Sequence, residues 1–416
     1  MDRPNVLLVI LDATRQDACS CYGQALHTTP ALDALAREGT VFENAFTVAP
    51  WTFPSLASLF TGLYPSQNGV YIQRKLDRQY LRLPELLRTQ GYATLAISDN
   101  PWMSAEFGLT QGFDRMHKLW QWWQTDHDIN NITLSDVKGA SRLKAVAQLM
   151  ARGNPIKNAA NVAYYRLIRP HLDYGAARTL HPLTRWIEAQ RGPWFGFVHY
   201  LEAHMNYRPP RAWRERFVTD RALGEQLAAV DQWRLARRHL AGVERLSVAD
   251  LRTLYELYLA EVAYADHHLG QIIDWLRHTD RLDNTLIIVL ADHGESFGEH
   301  DMLEHQYNLY DSLLRIPLVV RYPAQFLAGQ RITDQVQSLD VFATILEAAG
   351  LTAPDIPSRS LIPGQQLPRT HTYAEYGLPR PPRPHWLQRF GLQPADLEPF
   401  QVGYTSIRNA THKLIL

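Results

Sequence analysis

The sequence has few cysteines and no net charge. Cys19 and Cys21 are the only two thiols among 416 residues. Two cysteines give neither a disulfide framework nor a four-ligand zinc site, so we expect both to be reduced. Lysine plus arginine and aspartate plus glutamate both number 42. A neutral chain gives no support for a nucleic-acid partner or an acidic membrane surface, because both require a basic face.

Long apolar runs are also absent. The first run, Val6 to Leu11, stops at Asp12, and no segment reaches the roughly 18 uncharged apolar residues that a membrane span requires. The sequence therefore predicts no signal peptide, no membrane span and a cytoplasmic location. Apolar residues make up 46% and charged residues 20% of the chain, as in an ordinary globular protein.

Short apolar runs alternate with stretches of helical periodicity. The β-branched run at 6–11 is typical of a strand that is buried on both faces of a parallel sheet. Strands alternating with helices predict an α/β fold with a mostly parallel central sheet flanked by helices. Further strands are predicted at 93–98, 195–201, 285–291 and 316–321, and helices at 32–38, 54–61, 254–277 and 340–349.

The chain is expected to contain a main α/β domain at 1–350 and a partial C-terminal subdomain at 351–416. Residues 115–180 differ in composition, with several tryptophans and a helical pattern at Arg142 to Met150. This composition predicts a helical insertion that lines one side of the active site. The Pro- and Arg-rich segment at 379–384 predicts a loop.

Acidic and imidazole side chains follow two of the predicted strands. Asp12 ends the first strand, and Asp292-His293-Gly294-Glu295 follows the run at 285–291. Sites form at the carboxyl ends of parallel strands, and carboxylate with imidazole is a suitable ligand set for a divalent cation. The glycine would permit a tight turn. A solvated loop, or a strand-ending acid at position 12, are the alternative interpretations of these residues.

A hydroxyl precedes the predicted helix at 54–61. Thr52 would lie where backbone amides and the helix dipole favour an anion. A simple helix N-cap, at Thr52 or at Ser55, is the alternative. The histidines are less informative, because the chain has 17 of them.

Taken together, these segments resemble the sulfatase family of the alkaline phosphatase superfamily. The first strand with Asp12, the segment from Thr52 to Pro65, and the segment from Asn284 to Glu295 match that family in order. The resemblance implies an alkaline phosphatase-like fold and an ester hydrolase with one divalent cation. It assigns Asp12, Thr52, Asp292 and His293 to the metal, Thr52, His204 and His305 to catalysis, and Asn100 to substrate binding.

The chain departs from the family at the nucleophile. Sulfatases carry a cysteine or serine there for conversion to formylglycine, and threonine cannot form that aldehyde. Thr52 instead resembles the metal-bound threonine of phosphoethanolamine transferases, and the chain shares its Asp, Asp, His ligand set with phosphonate and phosphodiester hydrolases of the superfamily. We therefore expect a hydrolase of phosphate, phosphonate or sulfate esters acting on a small-molecule, glycan or lipid substrate. A transferase of phospho-groups and an inactive binding protein with the same fold are the alternatives. The histidine ligand favours Mn²⁺ or Zn²⁺ over Ca²⁺.

Overall fold

A computed structural model describes residues 3–71, 75–125, 151, 153–169, 172–364, 368–378 and 384–416. The predicted helix from Arg142 to Met150, and nearly all of the predicted loop at 379–384, lie outside these residues. Within the described ranges, no helix combines the length and the apolar character that crossing a membrane requires.

The main sheet has eight strands in the described part of the chain: β1 (Asn5–Leu11), β2 (Thr40–Phe46), β3 (Ala93–Ser98), β4 (Arg115–Lys118), β5 (Trp194–Tyr200), β6 (Thr285–Leu290), β9 (Leu318–Arg321) and β10 (Gln330–Gln337). Their order across the sheet is β10-β2-β9-β6-β1-β5-β3-β4. β9 runs antiparallel to β2 and β6, and the other neighbours are parallel. This sheet confirms the predicted fold class. Two short strands, β7 (Ser296–Phe297) and β8 (Leu303–Glu304), form a separate antiparallel pair.

Helices cover both faces of this sheet. The longest begins with a capping box between Ser247 and Asp250. The α-helices among the described residues are α1 (Pro30–Glu38), α2 (Thr52–Thr61), α3 (Leu83–Thr89), α4 (Pro155–Ala163), α5 (Leu180–Glu188), α6 (Arg211–Phe217), α7 (Arg221–Ala229), α8 (Gln232–Leu240), α9 (Val248–His278), α10 (Asp311–Leu314), α11 (Asp340–Ala348) and α12 (Pro384–Phe390).

β1 lies in the middle of the sheet and is buried on both faces. Alternate side chains point to opposite faces of a strand. Val6, Leu8 and Ile10 accordingly join one apolar cluster, and their neighbours Leu7, Val9 and Leu11 join the other. The continuous apolar run therefore forms the two-sided strand that its pattern predicts, and it delivers Asp12 to the centre of the carboxyl edge.

Two features differ from the sequence prediction. β2 and β10 were not predicted, because Glu43 and Asn44 interrupt the first and the outer part of β10 is polar and exposed at the sheet edge. Residues 115–118 form the edge strand β4, so the predicted insertion at 115–180 begins too early. The range predicted as a C-terminal subdomain, 351–416, contains a separate antiparallel sheet of β11 (Thr372–Tyr376), β12 (Tyr404–Arg408) and β13 (Lys413–Ile415).

Candidate active site

The carboxyl ends of β1 and β6 bring two aspartates together. The parallel register pairs Ile10 with Leu290. Asp12 lies two residues after Ile10, and Asp292 lies two residues after Leu290. Asp12 is 1% exposed and Asp292 is fully buried. His293 follows directly. One ligand atom from each of Asp12, Asp292 and His293 can be chosen so that all lie within 4.8 Å of one another.

Each aspartate has one oxygen bound by protein donors and one that is not. Oδ1 of Asp292 accepts hydrogen bonds from the backbone N–H groups of Ala13 at 3.2 Å and His293 at 2.9 Å. Oδ2 of Asp292 and Oδ1 of Asp12 are buried without a hydrogen-bond partner among the described residues. Buried carboxylate oxygens are costly unless they are compensated. A cation between them would provide that compensation, so this chain's residues fit a metal centre.

His293 directs Nε2, the nitrogen that could bind a cation, toward the two unpartnered carboxylate oxygens. Its Nδ1–H donates to the backbone carbonyl of Gly294 at 2.8 Å, which leaves the lone pair on Nε2. Nε2 lies 3.6 Å from Oδ1 of Asp12 and 3.5 Å from Oδ2 of Asp292. A backbone carbonyl on the remote nitrogen is the usual support for a metal-binding histidine.

Gly294 is required for close packing. A Cβ atom at this position would lie 2.0 Å from the carbonyl oxygen of Ser312. The tight turn expected from the sequence is therefore not the main reason for this glycine. The backbone of the segment Asp292–Glu295 instead packs closely against residues 310–314. There the N–H of Gly294 donates to the carbonyl oxygen of Leu313 at 2.8 Å.

Thr52 is the first residue of α2 and lies beside the cluster of Asp12, Asp292 and His293. Its Oγ1 is 3.2 Å from Nε2 of His293, and the residue is 3% exposed. The alternative interpretation, a helix N-cap at Thr52 or Ser55, does not hold for either residue. The N-cap position is Trp51, with no side-chain cap bond, and Ser55 Oγ donates to the carbonyl of Asp292 at 2.7 Å. This hydrogen bond from Ser55 connects the first turn of α2 to the backbone of Asp292.

Two further side chains hold Asp12. His199 Nε2 lies 2.9 Å and Asn100 Nδ2 lies 3.3 Å from Oδ2 of Asp12. The sequence analysis missed His199, although a histidine inside the apolar strand β5 (Trp194–Tyr200) signals a buried polar partner. Asn100, predicted to bind substrate, directs its amide nitrogen at Asp12 in this structure. Its substrate contact stays a prediction.

His204 and His305 lie side by side next to the cluster. Their ring centroids are 4.8 Å apart, and the ring of His305 stacks on that of His293 at 4.5 Å. His204 donates Nδ1–H to the carbonyl of Met205 at 2.7 Å. Nδ1 of His305 lies 3.2 and 3.3 Å from the two oxygens of Glu295. The sequence analysis named Glu295 as the last residue of the segment that follows the strand, but it did not predict the contact between Glu295 and His305.

Burial and charge shift the pKa values of these groups in opposite directions. Burial alone would raise the pKa of Asp12, but the hydrogen bond from His199 and the neighbouring histidine charges hold it well below its usual range. Burial and then the charge of Asp12 raise the pKa of Asp292 to about 6. The two like charges disfavour each other, and a divalent cation between them would favour the state in which both are ionised.

The histidine pair and its carboxylate are shifted mainly by burial. Burial lowers the pKa of His204 to about 4, and burial followed by the charge of His293 lowers that of His305 well below its usual range. Burial also raises the pKa of Glu295 to about 7. Glu295 therefore takes up a proton near neutral pH, within hydrogen-bonding reach of His305.

Comparisons with known proteins identify the family. A family model described as Sulfatase matches residues 4–351. An N-acetylglucosamine-6-O-sulfatase of Bacteroides thetaiotaomicron is 25% identical over 404 residues, covering 87% of this chain and 70% of the relative. A choline-sulfatase of Rhizobium meliloti is 23% identical over 379 residues, covering 85% of this chain and 69% of the relative.

Solved structures support the same fold. The phosphonate monoester hydrolase of Agrobacterium radiobacter has a TM-score of 0.71 at 22% identity, covering 100% of this chain and 87% of that one. A protein solved in complex with its substrate D-glucosamine-2-N,6-O-disulfate has a TM-score of 0.69 at 21% identity, covering 100% and 88%. Because the family model spans most of the chain, the protein belongs to the sulfatase family and is a hydrolase of sulfate or phosphate esters.

Proposed function

We propose that this chain hydrolyses phosphodiester or phosphonate esters of small molecules or glycans, with Thr52 as a covalent nucleophile beside one divalent cation. The observation that carries the proposal is the position of Thr52. Its Oγ1 lies 3.2 Å from Nε2 of His293, next to two buried carboxylate oxygens that have no partner among the described residues.

The residues that would hold the cation are Asp12, Asp292, His293 and Thr52. Sulfatase-family enzymes generally depend on a divalent metal. The mixed set of imidazole, hydroxyl and carboxylate favours Mn²⁺ or Zn²⁺ over Ca²⁺, which prefers a larger all-oxygen shell. A cation bound here would lower the pKa of the Thr52 hydroxyl and polarise the ester.

Catalysis would proceed in two displacements. In the first, Oγ1 of Thr52, having lost its proton to solvent, bonds to phosphorus while the bond to the leaving alcohol oxygen breaks. In the second, water attacks the phosphothreonine and Oγ1 leaves. Threonine at this position supports phosphorus as the target, because the aldehyde of formylglycine cannot form from it.

His305 would donate and accept protons at the reacting group, and Glu295 would exchange protons with His305 on the side away from the substrate. Glu295, whose burial raises the pKa to about 7, can hold a proton that the pair delivers through His305 to the leaving oxygen. In the second displacement the pair takes a proton from the attacking water. His204, packed on His305, would contact the transferring group.

The charge of the site suits a singly charged ester. The groups that lower the pKa of Asp12 are the imidazoles of His199, His204 and His293. Burial lowers the pKa of His204 to about 4, and Nε2 of His293 keeps its lone pair for the cation, so these two imidazoles bring no full positive charge at neutral pH, unlike lysine or arginine. A diester or a phosphonate monoester, each with one negative charge, therefore fits this surrounding better than a doubly charged phosphate monoester.

A metal-supplemented activity screen tests the proposal. Aryl sulfates, phosphate monoesters, phosphodiesters and phosphonate monoesters would be compared at equal concentration with Mn²⁺, Zn²⁺ or Ca²⁺. The expected order places the diester and phosphonate rates first. A sulfatase rate well above both would overturn the substrate assignment, and product analysis with an added alcohol would reveal transfer in place of hydrolysis.

A further inference from the structure

His199 is buried inside β5 with both ring nitrogens close to a hydrogen-bonding partner. The residue is 1% exposed. Nε2 lies 2.9 Å from Oδ2 of Asp12, and Nδ1 lies 3.2 Å from Oγ of Ser98 on the neighbouring strand β3. The pairing of Ser98 with His199 in the parallel register places this contact at the carboxyl edge of the sheet.

The hydrogen-bond directions follow from the chemistry of the partners. An ionised carboxylate only accepts hydrogen bonds, so Nε2 of His199 carries the hydrogen and donates it to Asp12. In the neutral imidazole Nδ1 is then an acceptor, and it receives the hydroxyl hydrogen of Ser98. Oγ of Ser98 remains free to accept, and it does so from the backbone N–H of Asn100 at 2.9 Å.

Asp12 and Asp292 are held in place by different means. Two backbone N–H groups fix Oδ1 of Asp292. For Asp12, the donors that the structure gives to Oδ2 are side chains, those of His199 and Asn100. These two bonds hold Oδ2 and leave Oδ1, which has no partner among the described residues, at 3.6 Å from Nε2 of His293.

We propose that His199 is a positioning residue that orients Asp12 so that its free oxygen faces the cation, with Ser98 fixing the imidazole tautomer. The inference rests on the proposed function, in which Asp12 is a metal ligand. Removing such a support around a metal site typically lowers metal affinity by about 10–100-fold. His199 acts through Asp12 and is not proposed to touch the substrate.

The test measures cation affinity by titration calorimetry with Mn²⁺ or Zn²⁺, so that it does not depend on turnover. His199→Phe keeps a ring of similar size but removes both hydrogen bonds, and we expect a loss of about 10–100-fold. His199→Gln can place its amide nitrogen where Nε2 lies and should recover most of that affinity. Val198→Ala, on the opposite face of the same strand, is the control for a general loss of packing.

Unchanged affinity in a folded His199→Phe protein would overturn the proposal. If that variant does not fold, His199→Asn decides, because its shorter side chain reaches the position of Nδ1 but not that of Nε2. Weaker binding by His199→Asn than by His199→Gln supports the positioning role, and equal binding refutes it. Asp12→Asn separates the two levels of inference. If it binds the cation as tightly as wild type, Asp12 is no ligand and the proposed metal site fails first.

Discussion

Replacing Thr52 by alanine separates a structural role from a catalytic one. The side chain makes no capping bond, which was the alternative role that the sequence left open. The contact that the structure gives to its hydroxyl is the one to Nε2 of His293 at 3.2 Å. Losing one such hydrogen bond costs about 1 kcal/mol. In a chain of 416 residues that corresponds to a melting shift of about 1–2 °C.

The expected catalytic loss is much larger. If Oγ1 of Thr52 forms the covalent bond, its removal should lower kcat by at least about 10³-fold, or about 4 kcal/mol of transition-state stabilisation. Thr52→Ser keeps a hydroxyl in the same place and should retain most of the activity. The ratio of the two energies, about four to one, distinguishes a nucleophile from a buried hydroxyl with one hydrogen bond.

The assay compares kcat and melting temperature for both variants with a matched control. Thr61→Ala removes a buried hydroxyl from the last turn of the same helix, where it donates to the carbonyl of Ala57 at 2.7 Å. It should cost stability of similar size and leave turnover nearly unchanged. A stable Thr52→Ala protein that retains near-normal turnover would refute the covalent mechanism.

Three further predictions concern the metal and the titrating groups. Chelation should abolish activity and lower the melting temperature, since a cation at 100 times its Kd stabilises the folded state by about 2.7 kcal/mol. Adding Mn²⁺ or Zn²⁺ should restore both properties in the wild-type protein. The same concentration of metal should restore neither in Asp292→Asn. Because burial raises the pKa of Glu295 to about 7 and the proposed acid is the protonated Glu295–His305 pair, kcat should fall as pH rises above about 7. The pH–rate profile of Glu295→Gln should lack that fall. Burial also raises the pKa of Asp266 from 3.8 to about 7, so the folded state retains a proton that the unfolded state has released. The free energy of unfolding should therefore decrease as pH rises through that interval, and urea unfolding of Asp266→Asn should show a flatter dependence.

Local sequence patterns predicted the central elements because their burial is uniform. β1 and β6 are apolar on both faces, and a run of such residues has few other stable arrangements in an α/β protein. β10 was missed because its outer half is exposed at the sheet edge, where the apolar pattern is absent. Strand prediction from hydrophobicity therefore succeeds at the centre of this sheet and fails where polar residues interrupt the apolar pattern, in β2 and in the edge strand β10.

The residues at the site fall into two groups. Asp12, Thr52, Asp292 and His293 were named from strand ends, a helix start and a family resemblance, and the structure places them together. The supporting contact between His199 and Asp12 joins residues 187 positions apart in the chain. It depends on which strands are neighbours and in what register, and neither composition nor local spacing contains that information.

Identification of the covalent intermediate tests the central claim most directly. The enzyme, loaded with metal, would be mixed with a phosphonate monoester, quenched with acid during turnover, digested and analysed by mass spectrometry. A phosphonylated peptide carrying the modification on Thr52, and absent from Thr52→Ala, is the predicted result. Rapid turnover with an unmodified Thr52 at every quench time, together with an active Thr52→Ala variant, would contradict it.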